Sequence, residues 1–275
     1  MTDPFEGKLC VVTGAASGIG RAVAINLARQ GAALALSDVN EEGLAQTRTL
    51  IGDVPTNRIR IDRLDVADAD AIIAYADMIK ESLGDAEYIF NIAGLTRLGR
   101  FEETPLSSFE KIFDVNFWGV VRMTKAFLTQ LEATKGGVVN ISSLFGLIGY
   151  PGQAHYCASK FAVRGFNETI AEELAEKGVS VTSVHPGGVA TAIARNAKTD
   201  ALPPDISDRN EINDKFDKMA ITSSERAAEI ILDGTARRKR RVIVGRDARV
   251  LSFVQRLFPA SYMKKISLLL PKELS

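Results

Sequence analysis

The chain has 275 residues, 46% hydrophobic and 25% charged, and its 34 basic residues balance 34 acidic ones. These values are ordinary for a globular protein and exclude disordered and fibrous classes, while the zero net charge offers no overall field for a nucleic-acid partner, so none is expected. Cys10 and Cys157 are far apart and have no companion at metal-ligand spacing, so neither a disulfide framework nor a metal site is expected, and a reducing compartment fits best. The opening MTDPFEGK carries two acids and a proline where a signal peptide needs a basic and then an apolar region. No apolar run approaches the ~18 residues that crossing a bilayer requires. The expectation is a cytoplasmic protein without a transmembrane segment.

Along the chain, LCVV (9–12), ALAL (33–36), RIRIDRL (58–64), YIFNIA (88–93), GVVNIS (137–142), VSVTSV (179–184) and RVIV (241–244) read as strands separated by amphipathic stretches. Alternation of this kind predicts an α/β fold: a doubly wound, seven-stranded parallel sheet with helices on both faces, in a single domain.

Between the first strand and the first helix lies TGAASGIG (13–20). Unpaired N–H groups and the positive end of the helix dipole make such a junction a receptor for a pyrophosphate. Gly14 permits the tight turn, Gly18 lets phosphates approach the backbone and Gly20 lets the helix lie close to the sheet. Asp38 closes the second strand eighteen positions after Gly20, near the offset at which an acid accepts hydrogen bonds from an adenosine ribose. A carboxylate there repels a 2′-phosphate, Ser17 is not basic and Val39 follows, so NAD is favoured over NADP. A helix N-cap before EEGL is the alternative role for Asp38.

Asn91 and Gly94 belong to NIAG at the end of the fourth strand, and Asn116 sits mid-helix in FDVNFWGVV, where an amide competes with the helical backbone. Ser143 ends the strand GVVNIS. The segment 155–177 predicts a strong helix in which Tyr156 and Lys160, four positions apart, share a face. A phenol titrates near ~10 and is a poor base at neutral pH; an ammonium one turn away would bring it toward the working range. Pro186 and Gly187 end the sixth strand, with Thr191 close behind. The polar, proline-interrupted stretch 190–222 reads as a substrate flap. His155 reads as pocket rim or polar surface, His185 as structural, and Cys157 as packing on a neighbouring helix. RRKRR (237–241) reads as a solvated helix C-terminus. Residues 247–258 have helical apolar spacing ended by Pro259, in a C-terminal helical extension, 246–275, that either packs on the core or a neighbouring subunit or touches a membrane surface peripherally.

Over residues 7–245 the sequence resembles the short-chain dehydrogenase/reductase family, whose Rossmann-like single domain covers this length. TGAASGIG matches the family's cofactor loop and brings in Ser17 and Ile19 beside the glycines. Asp65 and Val66 match its adenine contacts. NIAG matches its N-N-A-G segment, with Ile92 in place of the second asparagine, and adds Ala93. PGGVAT matches the turn that holds the nicotinamide, adding Val189 to Pro186, Gly187 and Thr191. Asn116, Ser143, Tyr156 and Lys160 match the catalytic tetrad. The resemblance implies NAD-dependent interconversion of an apolar secondary alcohol and a ketone, with Tyr156 as general acid/base, Ser143 holding the substrate oxygen, Lys160 bonding the nicotinamide ribose and lowering the tyrosine pKa, and Asn116 anchoring a water for proton relay. It also implies a homodimer or homotetramer, for which Phe117, Trp118 and Phe161 supply apolar bulk. An NADP-dependent carbonyl or 3-oxoacyl reductase, and a non-catalytic NAD-binding scaffold, are the alternatives.

Overall fold

A computed structural model describes residues 3–191, 193, 197–200 and 220–269. All seven expected strands are present: β1 (Leu9–Thr13), β2 (Ala33–Asp38), β3 (Ile59–Arg63), β4 (Tyr88–Asn91), β6 (Gly137–Ile141), β7 (Ser180–Pro186) and β9 (Arg241–Val244). They form one parallel sheet in the order β3-β2-β1-β4-β6-β7-β9. The crossovers are α1 (Gly18–Arg29), α2 (Glu41–Ile51), α3 (Ala69–Leu83), α4 (Leu106–Phe113), α5 (Gly119–Thr134), α6 (Ala154–Glu173) and α7 (Ser224–Ala236). The strand order reverses between β1 and β4, the point at which a doubly wound sheet opens a crevice at its carboxyl edge.

Strand alternation sorts the core into two layers. Cys10, Val12, Leu34, Leu36 and Phe90 meet Val23, Leu27, Ala228 and Ile231 of α1 and α7 on one face. Leu9, Val11, Ala35, Ile89 and Val138 meet Ile72, Ile79, Met123 and Phe127 of α3 and α5 on the other. On this second face the register aligns Ser37, Thr13, Asn91, Asn140 and Ser183 across five adjacent strands, a polar rung close to the carboxyl edge.

Helix α6 ends at Glu173, short of the expected 177, because Leu174 caps it and its carbonyl accepts Lys177 N and Val179 N while Gly178 turns the chain at φ +77°. Of the expected flap, most of 192–219 lies outside the described residues. Its first part forms a two-residue strand, β8 (Lys198–Thr199), parallel to β5 (Arg97–Leu98), and its base is closed by a bridge between Val189 and Thr222. The extension forms α8 (Arg246–Leu257), stopped before Pro259, and α9 (Tyr262–Leu269). Among the described residues no helix is long and apolar enough to cross a membrane.

Candidate active site

The glycine loop is shaped by close backbone approach. Gly14 has φ +70°, and a Cβ there would stand 2.8 Å from Ala93 N, so β1 and β4 can close on each other only over a glycine. Gly18 has φ +51° and lies against Thr191, where a Cβ would come within 3.1 Å of its Cγ2. A Cβ at Gly20 would overlap the Gly14 carbonyl oxygen. The loop and the turn after β7 are thereby brought together around the start of α1, where Ser17 is the extended N-cap with no side-chain capping bond and Ile19 packs into the core. Thr13 Oγ1 accepts both Ile92 N and Ala93 N at 3.1 Å, fixing the NIAG backbone.

Asp38 is not the helix cap: Asn40 caps α2 by accepting from Gly43 N. The Asp38 carboxylate instead accepts Ala16 N at 3.1 Å and Asn40 N at 3.0 Å, which holds it at the end of β2 beside the glycine loop. Asp65 accepts Ala67 N, and Val66 is buried against Gly119. The Asn91 side chain is committed inward, donating to Asn140 Oδ1 at 2.8 Å and to Thr124 Oγ1 at 3.4 Å, which leaves the Ala93 and Gly94 backbone as the part of NIAG at the cleft.

Asn116 lies in a π-helical turn, Asp114–Trp118, joining α4 to α5. Such a turn displaces a residue from regular helical register and is frequent at functional sites. The buried amide clamps Leu95 both ways, Oδ1 accepting Leu95 N at 2.8 Å and Nδ2 donating to Leu95 O at 2.9 Å, with Ser159 Oγ at 3.2 Å. Lys160 is buried and donates to Ile141 O at 2.9 Å. A Cβ at Gly94 would stand 3.2 Å from Asn116 Oδ1 and 3.5 Å from Lys160 Nζ, so the bare Gly94 opens a space shared by both. Tyr156 follows one turn back on α6, its ring centroid 5.7 Å from Lys160 Nζ and edge-on to Phe145, which stacks on Tyr150 at 5.0 Å. Ser143, Tyr156, Lys160 and Asn116 therefore meet at the carboxyl edge of β4 and β6.

The electrostatics depart from the sequence expectation. Burial pushes the Tyr156 phenol up to about 12, with the Ser143 hydroxyl pulling the other way, and burial brings the Lys160 ammonium down to about 8. Burial dominates at both groups, and each is driven toward its neutral form.

Ser143 is also held from beneath. His185 Nδ1 lies 3.1 Å from Ser143 O, a carbonyl that must accept, so Nδ1 carries the proton and Nε2 accepts from Ser183 Oγ at 3.1 Å. Ser183 in turn accepts Asn167 Nδ2 at 3.0 Å, Asn167 accepts Asn140 Nδ2 at 2.6 Å, and Asn140 accepts Asn91. Burial drives His185 down to about 4, so the ring stays neutral and this assignment holds near neutral pH. The structural reading of His185 stands. His155 does not fit its own reading: it is fully buried against Phe109, and among the described residues neither ring nitrogen has a hydrogen-bond partner.

Sequence reasoning missed three groups. Arg21 ties the glycine loop to α2 through the Ala16 carbonyl, Thr47 and Gln46. Asp247, at the start of α8, accepts Gly188 N at 2.7 Å and packs on Gly187, where any Cβ would overlap its carboxylate. Arg97 pairs with Asp200, which also accepts Ser108 Oγ at 3.0 Å, latching the flap to the segment after β4. Among the described residues no group of three metal-ligating side chains occurs.

The comparisons agree with this layout. Residues 8–202 match the family model described as short chain dehydrogenase. The SadH protein of Mycobacterium tuberculosis is 45% identical over 267 residues, 96% of this chain and 95% of its own. Epidermal retinol dehydrogenase 2 of Mus musculus is 39% identical over 197 residues, 70% of this chain and 64% of its own. A short chain dehydrogenase/reductase from Burkholderia phymatum, solved in complex with NAD, superposes with a TM-score of 0.83 at 27% identity, covering 94% of this chain and 96% of its own. With a crevice at its switch point and the match running through that crevice, the chain belongs to the short-chain dehydrogenase/reductase family of oxidoreductases.

Proposed function

We propose that the protein interconverts a secondary alcohol and a ketone on an apolar small molecule, using NAD(H) and Tyr156 as general acid/base. The observation that carries this reading is the chain of neighbours Ser143, Tyr156, Lys160 and Asn116, the last two facing the space that Gly94 leaves open. The residues present fit a dinucleotide, because the glycine loop opens α1 with bare backbone and Gly94 leaves a space beside Asn116 and Lys160. Gly14, Ser17, Gly18, Ile19 and Gly20 would hold the pyrophosphate, Asp38 the adenosine ribose, and Asp65 and Val66 the adenine. Ala93, Gly94, Pro186, Gly187, Val189 and Thr191 would hold the nicotinamide half, with Lys160 on its ribose. The bound cofactor supplies the carrier of the hydride.

The chain's own residues handle the proton. In reduction Tyr156 donates it to the substrate oxygen, and in oxidation the phenolate takes it back, while Ser143 holds that oxygen where negative charge develops. A phenol pushed up to about 12 stays protonated near neutral pH, so the oxidative direction, which needs the phenolate, depends on Lys160 carrying its proton. The loop after Ser143 argues for an apolar substrate: Phe145 lies edge-on to Tyr156 and stacks on Tyr150. The retinol dehydrogenase relative supports the same class. Asp38 beside Val39 favours NAD over NADP. Two unbridged thiols, Cys10 and Cys157, support a reducing, cytoplasmic setting. Trp118 and Phe161, 47% and 40% exposed at the start of α5 and on α6, support a homodimer or homotetramer built on those helices.

The test follows absorbance at the reduced-nicotinamide band with both cofactors against steroid, terpenoid and aliphatic alcohols and ketones. Turnover with NAD(H) that disappears in Tyr156→Phe is expected; a Tyr156→Phe enzyme at near-normal rate sinks the mechanism, and tighter binding of NADPH sinks the cofactor assignment.

A further inference from the structure

Between Arg237 and Leu269 a chain of zero net charge carries ten basic residues and one acid, Asp247. The first part of this excess is consumed inside the fold. Arg237 pairs with Asp233, Arg240 with Glu172 and Arg241 with Glu168, while Arg238 bonds the carbonyls of Lys135 and Gly178. Downstream the pattern changes: among the described residues Arg246, Arg249, Arg256 and Lys264 form no ion pair, and the acid Asp247 is turned inward onto Gly188.

Helix α8 has two faces. Ala248, Leu251 and Val254 pack inward with Leu144, Ile148 and Ile266. Val250, Phe253 and Leu257 are 54%, 62% and 55% exposed, and Phe258 follows at 42%. At 100° per residue the first three fall within about 60° of one another, with Arg246 in the same stripe and Arg249 and Arg256 along one edge. Arg249, Phe253 and Arg256 also line, with Arg164, Arg241 and Ile243, a groove of about 570 Å³ beside β9. Single exposed apolar side chains need no explanation, but three in a stripe bordered by unpaired cations form a surface with a partner.

Charge decides which partner. A symmetric second copy would set arginine against arginine. An anionic bilayer accepts both halves of the pattern, apolar side chains entering the headgroup region and guanidinium groups bonding lipid phosphates. We propose that α8 docks the protein peripherally on an anionic lipid bilayer through Phe253, Leu257, Arg249 and Arg256. The docked helix packs on the loop that follows Ser143, and Tyr262 of α9 accepts Gly149 N from that loop at 2.8 Å. Docking therefore sets the wall of the candidate cleft against the bilayer and lets an apolar substrate arrive from the lipid. This substrate route rests on the proposed oxidoreductase reading, whereas the docking does not.

The test is cosedimentation of the full chain with phosphatidylcholine vesicles prepared with and without phosphatidylglycerol. Binding to the anionic vesicles is expected, roughly tenfold or more weaker on neutral ones and falling as salt rises. Phe253→Glu with Leu257→Glu, and separately Arg249→Glu with Arg256→Glu, should each lower partition roughly tenfold or more at unchanged melting temperature. Tyr156→Phe should bind vesicles like the parent chain, which separates failure of docking from failure of the redox reading. A parent chain that stays in the supernatant at low salt overturns the proposal. So does a Phe253→Glu, Leu257→Glu protein that binds vesicles unchanged but has a smaller mass in solution, because the stripe would then be a contact between copies.

Discussion

The two walls of the cleft are built by different means. On the cofactor side, backbone meets backbone: Gly14 against Ala93, Gly20 against the Gly14 carbonyl, Thr13 under the NIAG turn. On the substrate side, side chains reach across the fold: Arg97 to Asp200 and Tyr262 to Gly149. The first construction makes its demand residue by residue along a short stretch and tolerates almost no substitution. The second is assembled from partners 103 and 113 positions apart and can be varied one pair at a time. Under the proposed function, such a division would hold one cofactor on fixed backbone while the substrate contacts vary.

The comparison is sharpened most by removing the one hydroxyl at which the walls meet. Tyr156→Phe should lower turnover about 10³-fold with cofactor affinity and melting temperature retained, as read by steady-state absorbance, cofactor titration and a thermal melt. Gly20→Ala tests the backbone wall, since its new methyl has only a peptide carbonyl to displace; a loss of about 3 kcal/mol in stability or failure to bind cofactor is expected from denaturant unfolding and titration. A stable, cofactor-binding Gly20→Ala protein would break the distinction. Asp38→Ala should weaken NAD by about tenfold and narrow the gap to NADP, because the repelling carboxylate is gone. Arg97→Ala should act on the other wall alone, raising KM for substrate a few-fold, by roughly the worth of one partly exposed pair, at unchanged cofactor affinity.

The smallest expected effect is a pH slope. Lys160 titrates near about 8 in the folded chain against about 10.5 for a free lysine, so between those values the unfolded state binds more protons and stability rises with pH; below about 8 the cost of charging the buried amine is fully present. Denaturant melts across that window should show the slope in the parent chain and lose it in Lys160→Met.

The same division explains what the sequence disclosed. Strands LCVV through RVIV, the glycine loop and Y-x-x-x-K are legible because period, spacing and local backbone demand are written in neighbouring residues. Residues 155–177 read as uninterrupted helix because Glu and Lys at 173–177 suit a helix, and only the Leu174 carbonyl, taken by two later N–H groups, ends it earlier. Asp247 and Asp200 carried no local signal, since each owes its role to a partner on a distant element. His155 read as surface because its neighbours in sequence are polar or small, whereas Phe109 covers it in space. The lysine at 160 was expected to lower the phenol's pKa, an argument from proximity that left out the desolvation of both groups.

The row of amides and hydroxyls from Asn91 to Ser143 has a sense of direction. Each member gives its hydrogen to the next, ending at the serine carbonyl, so the amide orientations of Asn140 and Asn167 and the tautomer of His185 are one choice rather than three. Flipping a single member would leave two donors or two acceptors face to face in a dry interior. An asparagine on β4, at the switch point, thereby has a say in how firmly the serine's peptide is held.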